Sequence, residues 1–163
     1  LLLKDLRHAV DFLRANGSRS RLVGSLGFCL GGKLSYLCAS RLGVNAAASY
    51  YGVKIESYLK EADNISCPMV LHFAGNDPRV PKTAREKISK KLSDKCNIKI
   101  HLYPKAQHGF NRVGYPPYDE KSATMAMRRT LALFRRYLSL EEQQKPYDEF
   151  ESKHQTKMPD KSI

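Results

Sequence analysis

Hydrophobic and polar positions follow two rhythms along this chain, and the switches between them predict its elements. Leu2, Leu3, Leu6, Ala9, Val10 and Leu13 recur at helical spacing, which predicts an opening helix over residues 2–15 stopped by Asn16-Gly17. A short apolar run, Arg21-Leu22-Val23-Gly24-Ser25-Leu26, reads as a buried strand, followed by a helix over 30–41 and a second short strand over 46–51. An irregular or helical stretch covers 55–62, and Met69-Val70-Leu71-His72-Phe73 is a third strand. A lysine-rich helix over 82–94 turns Ala84, Ile88 and Leu92 to one side, and residues 99–103 alternate as a fourth strand. A closing helix spans 119–138, with Met127, Leu131, Phe134 and Leu138 as its expected inward face. Short β-rich runs alternating with helices predict an α/β protein with a parallel sheet covered by helices on both faces. From Glu141 the chain turns polar, with Pro146 and Pro159, so residues 1–140 are expected to fold and 141–163 to form a disordered tail.

Gly27-Phe28-Cys29-Leu30-Gly31-Gly32 sits between the first strand and the helix after it. Gly-x-Cys-x-Gly at such a junction is the cysteine form of a nucleophile elbow, whose tight turn needs small flanking residues. The turn places the sulfur at a helix N-terminus, where the positive end of the dipole favours negative charge. Alternatively, Cys29 is an inert buried thiol beside a glycine-rich turn. Asp77 follows the third strand in Phe73-Ala74-Gly75-Asn76-Asp77, and His108 follows the fourth in Ala106-Gln107-His108-Gly109-Phe110. Each alone is weak, because an aspartate in a turn is commonly a turn former. Nucleophile, acid and base in this chain order, each just after a strand, is the order that α/β-hydrolases use.

The residues Gly27 to Lys33, Tyr50-Tyr51-Gly52, Cys67-Pro68, His72 to Asp77 and Ala106 to Arg112 resemble the dienelactone hydrolase (carboxymethylenebutenolidase-like) family, over about 6–138. The resemblance implies the C-terminal part of an α/β-hydrolase domain and a Cys29-Asp77-His108 triad. It also implies that Arg112 lies near the substrate, holding the carboxylate of a lactone acid; a surface arginine after a turn is the other account of Arg112. The Leu30 N–H, opening the helix, is the expected oxyanion donor. The expected reaction is opening of a lactone or small ester through a thioester, without cofactor or metal. Tyr50 and Tyr51 are expected to be core aromatics, or else to line the pocket; His72 and His101 fall inside strands and are expected to be structural.

The chain starts with Leu rather than Met, and one strand precedes Cys29 where the family has several. A fragment or an incomplete gene model is therefore expected, with the absent segment holding a second oxyanion donor, a site Glu and a second Arg. Two other functions stay open: a carboxylesterase or thioesterase on the same scaffold, and a non-catalytic truncated protein with an unpaired strand edge.

Composition narrows the classes further. No apolar run approaches the length of a membrane span, and the leucines at the start are too few for a signal-peptide core. Cys29, Cys38, Cys67 and Cys96 show no Cys-x-x-Cys spacing, arguing against zinc, and a catalytic thiol requires a reducing compartment, so a cytoplasmic protein is expected. A net charge of +12 raises nucleic-acid binding as a further class. The lysines and arginines fall on the polar sides of amphipathic helices, with no aromatic platform between them. A solvated basic surface that attracts an anionic substrate is expected, with neither nucleic acid nor membrane as partner and a monomer if the whole domain is present.

Overall fold

The computed structural model describes residues 2–17 and 21–139, so the expected tail lies outside the described residues. The elements run α1 (Leu2–Asn16), β1 (Gly24–Phe28), α2 (Leu30–Arg41), β2 (Ala46–Tyr50), a 3₁₀ segment (Ile55–Asn64), β3 (Met69–Asn76), α3 (Lys82–Leu92), β4 (Ile98–Gln107) and α4 (Glu120–Leu138). The strands lie side by side in the order β1-β2-β3-β4, all parallel.

Side chains along β3 show how the sheet divides the core. Met69, Leu71 and Phe73 join one apolar cluster with Val10 of α1, Leu37 of α2, Ile55 of the 3₁₀ segment and Ile88 of α3. Val70 and Ala74 point the other way, into a second cluster with Ala123 and Ala126 of α4. Both faces of the sheet are thus covered, which is why β2 and β3 are almost continuously apolar rather than alternating. On α3 the buried positions are Ala84, Ile88 and Leu92, the face that helical periodicity predicts.

Three expectations need correction. The first strand starts at Gly24, not Arg21: Val23 N–H is taken by the Asn45 side chain, and Arg21 adopts a positive φ of 52°, so the chain is not yet extended there. The third and fourth strands outrun Phe73 and Tyr103, to Asn76 and Gln107, across an irregularity between Ala74 and Asn76. Gly75 permits this, because a Cβ there would fall on the Pro104 carbonyl oxygen; Pro104 is tolerated because β4 lies at the sheet edge. Finally, α4 buries Ala123, Ala126 and Thr130, while Met127 and Leu131 are 37% and 43% exposed. At Met127 and Leu131 the inward face is displaced by about one position, because small residues let the helix lie close to the sheet and because Thr130 is hydrogen-bonded inward, while Phe134 packs against the second cluster as expected.

Thr130 Oγ1 is hydrogen-bonded to Tyr50 Oη at 2.8 Å and to His72 Nε2 at 3.0 Å; His72 Nδ1 meets Tyr103 Oη at 2.9 Å, and Arg129 donates to the same oxygen at 3.2 Å. His101 stacks on His72 with ring centroids 5.7 Å apart. Burial, followed by the charge of neighbouring groups, holds the His72 pKa well below the usual histidine value and lowers that of His101 to about 4. The unfolded chain binds protons at both histidines below about pH 6.5, whereas the folded one does not. Thermal denaturation scanned from pH 8 to pH 4 should therefore show full histidine-linked stability above pH 6.5 and a progressive loss toward pH 4. A melting temperature flat between pH 6.5 and pH 5 would contradict this assignment, since Glu61 and Asp63, held below 4.5 and 3.8 by cationic partners, titrate later.

Candidate active site

Cys29 stands alone between β1 and α2 with φ 56° and ψ −115°. A side-chain-bearing residue at positive φ is strained by about 1–3 kcal/mol, so the surroundings must enforce it. They do so through the backbone. Cys29 N–H donates to the Tyr50 carbonyl at 3.0 Å, and its own carbonyl accepts from Gly32, Lys33 and Val53 at 3.1, 3.3 and 3.3 Å. A Cβ on Gly27 would fall on the Gly31 carbonyl oxygen, and one on Gly32 would lie 2.7 Å from both Gly52 Cα and the Tyr50 carbonyl oxygen. The glycines on either side thus let helix, strand and turn meet closely enough to hold Cys29 in this geometry. Leu30 is the first residue of α2, so its N–H has no carbonyl one turn back to bond.

Asp77 and His108 come together at the ends of β3 and β4. His108 Nδ1 lies 2.8 Å from Asp77 Oδ2. The other carboxylate oxygen accepts the N–H groups of Arg79 at 2.8 Å and Val80 at 3.2 Å. These bonds fix the carboxylate plane, and the Asp77 side chain is fully buried. His108 Nε2 is buried and has no hydrogen-bond partner among the described residues. With Nδ1 engaged by the carboxylate, Nε2 is the nitrogen left for a proton-transfer partner.

Cys29 and His108 line one cleft of about 590 Å³. Phe28 and Tyr51 form its aromatic wall, Asn111 and Arg112 lie along the loop after β4, and Arg79 enters from the Asp77 loop. The Tyr51 hydroxyl donates to Asn111 Oδ1 at 2.7 Å, and its ring lies 4.8 Å from the imidazole of His108. Burial and the neighbouring Cys29 thiol push the Tyr51 pKa up to about 12, so the hydroxyl stays a donor. The Arg112 guanidinium sits 5.2 Å over the Tyr115 ring.

The structure therefore brings together Cys29, Asp77, His108 and Arg112, with Leu30 following Cys29 as the first residue of α2. The adjacent tyrosines divide between the two roles open to them: Tyr50 is fully buried in the Thr130 network, whereas Tyr51, itself only 2% exposed, faces the cleft. His72 is a core residue. Lys33, in the first turn of α2, lies 5.8 Å over the Tyr58 ring rather than in the cleft. Arg79 was not singled out from the sequence; its place two residues after the acid, in Asp77-Pro78-Arg79, was the available signal. Cys38 and Cys67 are buried and Cys96 is exposed, all as free thiols.

A parallel sheet with an elbow residue after one strand, and an acid and a histidine after later strands, is the arrangement of an α/β-hydrolase. Solved structures agree: a Klebsiella pneumoniae protein classed as a dienelactone hydrolase superposes with a TM-score of 0.72 at 28% identity, over 82% of this chain and 60% of that one. Pyrococcus horikoshii acylaminoacyl peptidase, 19% identical, shares the fold with a TM-score of 0.63 over 89% of this chain and 29% of its own. The model of the dienelactone hydrolase family matches residues 1–138, and the chain belongs to that family. Carboxymethylenebutenolidase of Pseudomonas putida is 33% identical over 127 residues, 78% of this chain and 54% of that protein. Carboxymethylenebutenolidase 1 of Cupriavidus pinatubonensis is 31% identical over 131 residues, 80% of this chain and 56% of its own length. The chain thus spans about half the length of the curated relatives it matches. No helix among the described residues is long and apolar enough to cross a membrane.

Proposed function

We propose that the protein hydrolyses a lactone or small ester bearing a carboxylate, using Cys29 as nucleophile, His108 as general base and then acid, and Asp77 to orient the imidazole. The observation that supports this most is the state of His108. Its Nδ1 is tied to a buried carboxylate, while its buried Nε2 is unpaired and belongs to the same cleft as a strained cysteine.

His108 Nε2 takes the thiol proton and the sulfur attacks the ester carbonyl. The tetrahedral oxyanion receives the Leu30 N–H. The C–O bond then breaks, and the leaving oxygen takes the proton from His108, leaving a thioester on Cys29. A lactone leaves its alcohol tethered to the same acyl group. Water, deprotonated by His108, attacks the thioester; the carboxylic acid departs and the thiol is restored. Arg112 pairs with the substrate carboxylate through charge-assisted hydrogen bonds. The chemistry uses no cofactor or metal, its substrate is a small molecule rather than nucleic acid or a membrane, and its free thiol suits the reducing cytoplasm.

Asp77→Asn is the test of this arrangement. The amide can donate to Nδ1, which moves the ring proton to Nε2 and turns the base into a donor, and it cannot stabilise the imidazolium. Turnover of a dienelactone and of p-nitrophenyl acetate should fall by roughly 10²–10⁴ in kcat with a smaller change in KM. Equal kcat in variant and parent would remove Asp77 from the mechanism. Arg112→Ala separates the substrate classes: it should weaken kcat/KM for the carboxylate-bearing lactone by about tenfold or more relative to the neutral ester. A uniform effect on both would instead favour a simple carboxylesterase.

A further inference from the structure

Arg79 and Arg112 reach the cleft from two different loops, one after β3 and one after β4, and bring positive charge to it from separate anchor points. Neither guanidinium is held in an ion pair among the described residues, and both residues are exposed. Among the described residues no acidic side chain lines the cleft: Asp77, the nearest carboxylate in sequence, is buried and occupied by His108 and by two backbone N–H groups. Arg79 is positioned by the same bond that fixes the acid, since its N–H donates to Asp77 Oδ1, and it lies between Pro78 and Pro81 in a loop with little backbone freedom. Arg112 is steadied by its N–H bond to the Gly109 carbonyl at 3.0 Å and by the Tyr115 ring. Two guanidinium forks anchored on separate loops can each receive an anionic group of their own.

We propose that Arg79 is a specificity-determining residue, and that the cleft selects esters or lactones carrying two anionic groups, one held by Arg112 and the other by Arg79. This rests on the hydrolytic reading above and adds the substrate class. The aromatic wall of Phe28 and Tyr51 supplies the apolar surface between the charged ends, so a flat, unsaturated or aromatic diacid ester matches the cleft.

A series with a constant acyl group isolates the effect: phenyl acetate, para-acetoxybenzoate and acetoxyisophthalate carry none, one and two carboxylates on the leaving group. The quantity read is the kcat/KM ratio between esters, in the parent protein, Arg79→Gln, Arg79→Lys and Arg112→Gln. The Arg79 N–H that bonds Asp77 belongs to the backbone and survives each substitution. Arg79→Gln should lower the dicarboxylate-to-monocarboxylate ratio by roughly tenfold, with Arg79→Lys restoring part of it because charge returns without the planar fork. The preference should also shrink as salt is raised toward ionic strengths that screen exposed charges. An Arg79→Gln ratio equal to that of the parent, or a loss spread evenly over the three esters, would overturn the assignment.

Calorimetric titration of isophthalate against benzoate separates the two claims. Tighter isophthalate binding that depends on Arg79, in a protein that hydrolyses none of the esters, would sustain the diacid site and sink the hydrolytic mechanism. Cys29-dependent hydrolysis with isophthalate bound no tighter than benzoate would do the reverse.

Discussion

Replacing Cys29 with alanine should lower ester and lactone turnover by roughly four orders of magnitude or more without unfolding the protein. Alanine has a Cβ as cysteine does, so the cost of φ 56° is unchanged, and the bonds that fix the elbow are all made by backbone atoms. The substitution removes the sulfur and little else. What remains in the proposed mechanism, the Leu30 N–H and the Arg112 charge, would bind and polarise a substrate without supplying a nucleophile. Steady-state rates with p-nitrophenyl acetate, alongside thermal denaturation of both proteins, check this. Cys29→Gly is a useful companion: it should be as inactive as the alanine variant yet about 1 kcal/mol more stable, because glycine releases the backbone strain.

The largest structural effect is expected from Gly32→Ala, at 3 kcal/mol or more, on the order of a third of the stability of a domain this size. A Cβ at Gly32 meets Gly52 Cα and the Tyr50 carbonyl oxygen at 2.7 Å and Gly52 N at 3.0 Å, all backbone. No flexible side chain can move aside, so α2 would have to lift from the end of β2. The same carbonyl of Tyr50 accepts the Cys29 N–H, and the displacement would open the elbow as well. Gly31→Ala provides the contrast. Nothing lies within 4 Å of its Cβ, and alanine in a helix is favoured over glycine by about 0.5–1 kcal/mol. Urea denaturation of the paired variants should move in opposite directions; equal destabilisation would contradict the close approach at Gly32.

Much of this was legible in the amino-acid order, for reasons that differ between elements. The α3 face of Ala84, Ile88 and Leu92 could be read because its apolar residues are separated by lysines, leaving one solution. On α4 the apolar residues are large and widely spread, and periodicity favoured Met127 and Leu131. The helix instead approaches the sheet through Ala123 and Ala126, and Thr130 is drawn inward by Tyr50 and His72, partners distant in sequence. The ends of β3 and β4 were hidden because Gly75 and Pro104 look like interruptions, whereas here a missing side chain and an edge position let the ladder continue. In the candidate site, Cys29, Asp77 and His108 stood out because each follows a strand and the elbow glycines are close in sequence. Tyr51 was legible only as one of two alternatives, core or pocket wall, and Arg79 not at all: an arginine in a turn has no spacing signature, and only the convergence of loops shows that both face one cleft.

The central claim is that catalysis passes through an acyl group on Cys29, and rapid acid quenching during turnover of p-nitrophenyl acetate, followed by mass spectrometry of the intact protein and its peptides, tests it most directly. The mechanism predicts one added acetyl group, confined to the peptide containing Cys29, released by hydroxylamine and absent from Cys29→Ala. Sustained turnover with Cys29 unlabelled, or an acetyl group on another residue with Cys29→Ala still active, would contradict it.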